Sequence, residues 1–180
     1  MAVITDASAE VSPLVGDFGL VSHTPGNWLD HVAGDLIRFG TNSPYMHAFV
    51  YVGNGQIVEA VRHVQVAPVS NYTDITWSTG RLGPDDTPSA LQRQAIAKAA
   101  MSFVGESYNA LDIIAIALAQ VRMGKLVNGD EWWVRRLSDD HMQICSQLVV
   151  NAYRMAGLDI LPGMLSGLVS PGDLGKLLRV

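Results

Sequence analysis

Cys145 is the only cysteine of the chain, and the two polar side chains best suited to activate it lie on one short alternating stretch, His47 to Ala60 (HAFVYVGNGQIVEA). A thiol, an imidazole and a carboxylate supply a nucleophile, a general base and a group that orients the base. The stretch alternates around Gly53-Asn54-Gly55 and reads as a β-hairpin whose strands carry His47 and Glu59. If Asn54 and Gly55 alone form the loop, Glu59 pairs with Val50 and points away from the face that carries His47. If Gly53, Asn54 and Gly55 all form it, Val52 faces Gln56 and Phe49 faces Glu59. Glu59 then shares a face with His47, one diagonal step or roughly 7–8 Å away along the backbone. Only that register lets the carboxylate fix the imidazole tautomer and stabilise its protonated form.

Cys145 lies in the segment 144–150 (ICSQLVV), which reads as the start of a buried helix. A start near Ser138, Asp139 or Asp140 puts the thiol in the second turn. A start at Gln143 or Ile144 puts it at the positive end of the peptide dipoles, which lowers its pKa. The second start also frees the Cys145 N–H to donate to an oxyanion. Both remain open at this level.

At these residues the chain resembles the NlpC-type papain-like cysteine peptidases. His47 to Ala60 is similar to their histidine motif, in which a polar third member follows the histidine by twelve residues, and Glu59 falls on that position. In ordinary members the cysteine comes first. Here it follows the histidine by 98 positions, the order of the circularly permuted branch that includes YiiX-like proteins and relatives of lecithin retinol acyltransferase. Phe103 to Tyr108 (FVGESY) is similar to the family's Gly-x-x-Tyr segment, Gly16 to Val21 (GDFGLV) to the Gly-Asp strand that opens permuted members, and Ser170 to Leu174 (SPGDL) to their closing motif. The resemblance spans about residues 15–175. It implies an α+β, papain-like fold: an antiparallel β-sheet or barrel packed against helices, with the nucleophile at a helix N-terminus.

The resemblance also implies a cysteine hydrolase in which Cys145 attacks, His47 moves the proton and Glu59 orients His47. NlpC-type relatives cleave amide bonds in peptidoglycan stem peptides, which is the expected substrate. Permuted relatives include lipid acyltransferases and esterases, and the apolar run 109–122 would suit a fatty acyl chain as a rival substrate. The non-enzymatic alternative is a binding module with a vestigial triad. Two departures stand out. Ile144 occupies a place where many relatives carry a polar or aromatic residue. The segment 123–137, with Trp132 and Trp133 beside Arg135 and Arg136, lengthens the path to the cysteine and reads as a lid or a substrate-selecting insertion.

Each of these residues also has a plainer reading. A lone cysteine before Leu-Val-Val is often a core hydrophobe, and a strand histidine is often satisfied by backbone or water. Glu59 at an exposed cross-strand position would be a surface carboxylate, and its removal would then scarcely affect stability. Tyr108 reads as a packing residue with a satisfied hydroxyl, or as a substrate contact, and Trp132 and Trp133 as a substrate platform or a packed surface pair. His63 shares strand parity with Glu59 and is the alternative third member, while His141 stands four residues before Cys145. His23 and His31 with Asp35 form no recognisable metal set, so neither metal nor cofactor is expected.

Composition narrows the class. A chain of 180 residues, 48% of them hydrophobic and without a linker-like run, fits a lead-in over 1–14 and one domain over 15–180. With one cysteine no intramolecular disulfide is possible. A net charge of −5 without a basic cluster argues against nucleic acid. The first ten residues carry no basic or long apolar stretch, and no run approaches the ~20 residues of a membrane span. A soluble protein without a signal peptide is expected, cytoplasmic at synthesis and released at lysis or carried in a phage particle if it acts on cell wall. Its oligomeric state is open.

The remaining elements follow from periodicity and punctuation. Asn27 caps a helix from Trp28 to about Phe39, and a strand follows the hairpin over 64–69. A strand is expected over 75–82, and Thr87 with Pro88 opens a helix to about Phe103. Further helices are expected over 109–122 and from the cysteine segment to Met155, closed at Gly157. Strands early and helices late indicate α+β.

Overall fold

The computed structural model of the chain describes residues 12–23, 43–61, 63–106 and 145–179. The expected helices over 28–39 and 109–122, the start of the cysteine helix, the insertion 123–137, Tyr108 and His141 lie outside the described residues.

The architecture is α+β. Five strands, β1 (Phe18–Val21), β2 (His47–Gly53), β3 (Gln56–Ala60), β4 (Val64–Pro68) and β5 (Thr76–Trp77), form an antiparallel sheet of order β4-β3-β2-β1-β5. Among the described residues three α-helices accompany it: α1 (Ala90–Ser102), α2 (Cys145–Met155) and α3 (Pro171–Lys176). Alternation along the strands separates two apolar layers. Phe18, Leu20, Ala48, Val50, Val58 and Ala60 face α1 and α2, where Ile96, Ala99, Leu148, Val149, Ala152 and Tyr153 complete the main core. On the other face Val21, Phe49, Ile57 and Ala67 are covered by Tyr72, Ile75 and Trp77 from the segment that follows β4.

The hairpin reaches the useful register by a different route from the three-residue loop expected. Asn54 and Gly55, at φ +54° and +70°, form a two-residue turn, and positive φ at both is what a right-handed sheet twist demands there. Tyr51 pairs with Ile57 and Gly53 with Gln56, so Val52 is an extra residue on β2. This bulge, with Gly53 at φ +98°, shifts the pairing by one and sets Phe49 opposite Glu59. A two-residue loop was expected to misplace Glu59; combined with a bulge it does not.

Two further expectations are corrected. The helix expected to open at Thr87 and Pro88 begins later, because Ser89 accepts from the Gln92 N–H while the Gln92 side chain accepts from the Ser89 N–H. This capping box outweighs the proline signal. The strand expected over 75–82 shrinks to Thr76–Trp77, since Ser78 turns to bond both the N–H and the C=O of Phe18. By contrast α2 ends as expected: Gly157 at φ +81° donates to Arg154 and Leu158 to Tyr153.

The two terminal motifs prove to be structural joints. Asp17, fully buried, accepts from Arg93 of α1, from the Thr79 hydroxyl and from the Leu14 N–H, while Tyr153 of α2 donates to the Gly16 carbonyl at 2.9 Å. Both helices are thereby fastened to the start of β1. At the other end Ser170 and Asp173 form the capping box of α3, with Pro171 in its first turn. A Cβ at Gly172 would meet Ser43 at 2.6 Å, and one at Gly175 the Tyr45 ring at 2.6 Å. This close approach seats α3 against the segment that delivers His47.

Candidate active site

His47 is the first residue of β2 and pairs with Val21, the last of β1, so it stands at the end of the sheet. A side chain from the helix layer can meet one from the opposite face only there, where no further strand residues intervene. Cys145 on α2 uses that opening. Its thiol is hydrogen-bonded to the His47 side chain, and the backbone N–H groups of Ala48 and Ser146 also support the sulfur. His47 and Cys145 are each 5% exposed.

The far side of the imidazole is held by Glu59. His47 Nε2 lies 3.1 Å from Glu59 Oε2, which leaves Nδ1 for the thiol. Glu59 is 2% exposed, so the plainer reading of a surface carboxylate does not hold. It tolerates this burial because two further donors reach it: Gln65 Nε2 at 3.0 Å to Oε1, and the Tyr72 hydroxyl to Oε2. His63, the alternative partner, is exposed, and it is Glu59 that meets the imidazole. His23 is also exposed and touches the Thr73 hydroxyl at 3.3 Å.

The three titrations follow from these contacts. Burial alone would lower the pKa of His47, but the hydrogen bonds and charges of Cys145 and Glu59 overcome it and push the value up to about 9. Burial alone would raise Cys145; the hydrogen bond and charge of His47, with the Ala48 and Ser146 amides, bring it below its ordinary value. Glu59 likewise escapes the upward push of burial through His47, Tyr72 and Gln65 and stays low. With His47 raised to about 9 and Cys145 lowered, the proton that the pair shares rests on the imidazole, which favours a thiolate, an imidazolium and a carboxylate in a row.

Sequence reasoning missed Tyr72 and Gln65. Gln65 stands directly opposite Glu59 in the β3-β4 ladder, a relation that parity suggests once the short 61–63 connection is known. Tyr72 follows a 3-10 turn over Val69–Asn71 and packs its ring on His47 and Phe49, with centroids 5.7 and 5.0 Å apart. No periodicity announces such a contact. The candidate substrate contacts Tyr108, Trp132 and Trp133 lie outside the described residues.

Among the described residues no three His, Cys, Asp or Glu side chains gather as a metal set, and no helix is long and apolar enough to cross a membrane. No protein-family model matches this chain. A search of curated proteins also finds no match.

Proposed function

We propose that this chain is a cysteine hydrolase of the circularly permuted, papain-like NlpC type, one domain over residues 15–180, which cleaves amide bonds in peptidoglycan stem peptides. The observation that carries the reading is the continuous hydrogen-bonded row Cys145, His47, Glu59. Three titratable groups buried together cost desolvation that an apolar trio of the same volume would avoid, so packing gives no reason for them. A nucleophile held by its base, and a base held by an acid, gives a chemical one.

The reaction follows from the row. The Cys145 sulfur forms a bond to the substrate carbonyl carbon, and the carbonyl oxygen takes the displaced electron pair, with the Cys145 N–H as its proposed donor. As the carbonyl re-forms, the C–N bond breaks and the amine leaves with the proton from His47 Nδ1. A thioester remains. Water then attacks the thioester while His47 takes its proton, the C–S bond breaks, and the carboxylic acid departs from a restored thiolate and imidazolium. Glu59 keeps Nδ1 aimed at the sulfur by holding Nε2 throughout.

Purified sacculi test both parts of the proposal. The parent chain should release peptide fragments with new amino termini, and Cys145→Ala should release none. Release of fatty acids from acyl-lipids, with sacculi untouched, would move the substrate to lipid acyl groups. A thiol no more reactive than a free one, with neither substrate turned over, would overturn the hydrolase.

A further inference from the structure

We propose that Tyr72 and Gln65 are positioning residues of this site, which hold the Glu59 carboxylate ionised and in one orientation so that it can keep the proton on His47. The role rests on the hydrolase reading above and deepens it.

Geometry carries the proposal. A glutamate has three rotatable bonds, and a single imidazole contact at 3.1 Å would not fix them. Here each carboxylate oxygen has its own further donor, Gln65 Nε2 on Oε1 and the Tyr72 hydroxyl on Oε2, arriving from different parts of the chain. The Tyr72 ring also lies beside the imidazole at 31° to its plane, which restricts rotation of the base itself. A carboxylate 2% exposed and left with His47 alone would swing away or take up a proton, because burial disfavours its charge. In either case the imidazolium loses its anion.

Among the described residues the titratable groups around Glu59 are His47 from β2 and Tyr72 from the segment after β4. Gln65 from β4 is neutral, and Cys145 from α2 acts through His47. The consequence is directional. Loss of the two donors should lower the pH at which His47 gives up its proton, whereas a carboxylate that stayed in place with fewer donors would become more basic and raise it.

The test is titration of His47 by NMR in the 15N-histidine-labelled full chain, its signal identified by its absence from His47→Gln. The parent should titrate far above the ordinary ~6.5 of histidine. Tyr72→Phe combined with Gln65→Leu should titrate at least tenfold in proton concentration closer to that value, with each single variant between. If the double variant does not fold, the single variants carry the test, since each removes one donor with only a small change of volume. A folded variant with an unmoved or raised His47 titration, beside a Cys145 still alkylated rapidly at pH 6, overturns the positioning role alone. A Cys145 that is not rapidly alkylated in the parent overturns the hydrolase reading and this role with it. A change in melting temperature with no change in titration would mean that the two residues are structural, and overturns the role as well.

Discussion

His47 Nε2 meets Glu59 Oε2 at 3.1 Å across a hairpin whose two-residue turn would, in an unbroken ladder, send the two side chains to opposite faces. The extra residue at Val52 reverses that parity. A local irregularity in β2 is therefore what assembles the site, and Gly53 is its hinge. Gly53 has φ +98°, and a Cβ there would also approach Val15 to 3.3 Å. Gly53→Ala should destabilise the chain by about 1–3 kcal/mol, measured by urea unfolding. A cost of only a few tenths would show that the bulge can be built without glycine.

Reactivity of the thiol gives a direct prediction. Because burial pushes Cys145 up and His47 pulls it down, the rate of iodoacetamide labelling in the parent should rise well below the ~8.5 of a free thiol. In His47→Ala only the upward push and the weaker backbone contacts remain, so the rise should move to the free-thiol value or beyond. Identical profiles near 8.5 in both chains would remove the basis for a nucleophile.

Turnover should rank the triad. His47→Ala and Cys145→Ala should each fall to background, since nucleophile and base act as a unit, while Glu59→Gln should lose about 10–100-fold, because an orienting group is partly replaceable. Stability should separate Glu59 from a surface residue. As a buried acceptor of three donors, its replacement by glutamine should cost about 1–3 kcal/mol. Unchanged unfolding would contradict the burial of Glu59.

Part of this arrangement was legible in the sequence for physical reasons. Side-chain alternation with a Gly-Asn-Gly turn is a local signal, so the hairpin and the end of α2 at Gly157 could be read directly, while the pairing of Phe49 with Glu59 was one of two registers and follows from the bulge rather than from a three-residue loop. The bulge could not, since a loop residue and a bulged residue add the same one position. At the start of α1 two local signals compete, Pro88 and the capping box of Ser89 with Gln92, and sequence alone does not rank them. Tyr72 and Gln65 depend on contacts made after the chain has turned twice, and Asp17 on a helix 76 residues away. Those are properties of the tertiary fold.

Asp17 and Arg93 should matter to stability and leave the chemistry alone. Asp17 is buried and Arg93 partly so, and Asp17 also serves Thr79 and the Leu14 N–H. Arg93→Ala strands a buried carboxylate and should cost about 3–5 kcal/mol, read from denaturant unfolding. The pH dependence of Cys145 labelling should not move in the folded protein. A shift in that profile would show that α1 helps to position the triad.

The final prediction concerns stability against pH, where the two partners of the nucleophile oppose one another. His47 has a raised pKa, so its contribution is full below its unfolded value of about 6.5 and is lost as pH climbs through about 9. Cys145 has a lowered pKa, so its contribution is full above about 8.5 and is lost as pH falls through its folded value. At a pH above both about 6.5 and the lowered Cys145 value, and below about 8.5, the folded pair holds one proton, on His47, and the unfolded pair also holds one, on the thiol. Equal proton numbers mean no slope. Where the folded thiolate stays ionised below about 6.5, the unfolded pair binds a second proton first and stability falls, and the lowered Glu59 acts in the same direction. Above about 8.5 the unfolded pair loses its last proton first, and stability falls again. The difference in unfolding free energy between the parent and a Cys145→Ala/His47→Gln double variant should therefore show a plateau with a decline on each side. A difference that rises steadily from pH 5 to pH 10 would mean that no imidazolium is retained beside the thiolate.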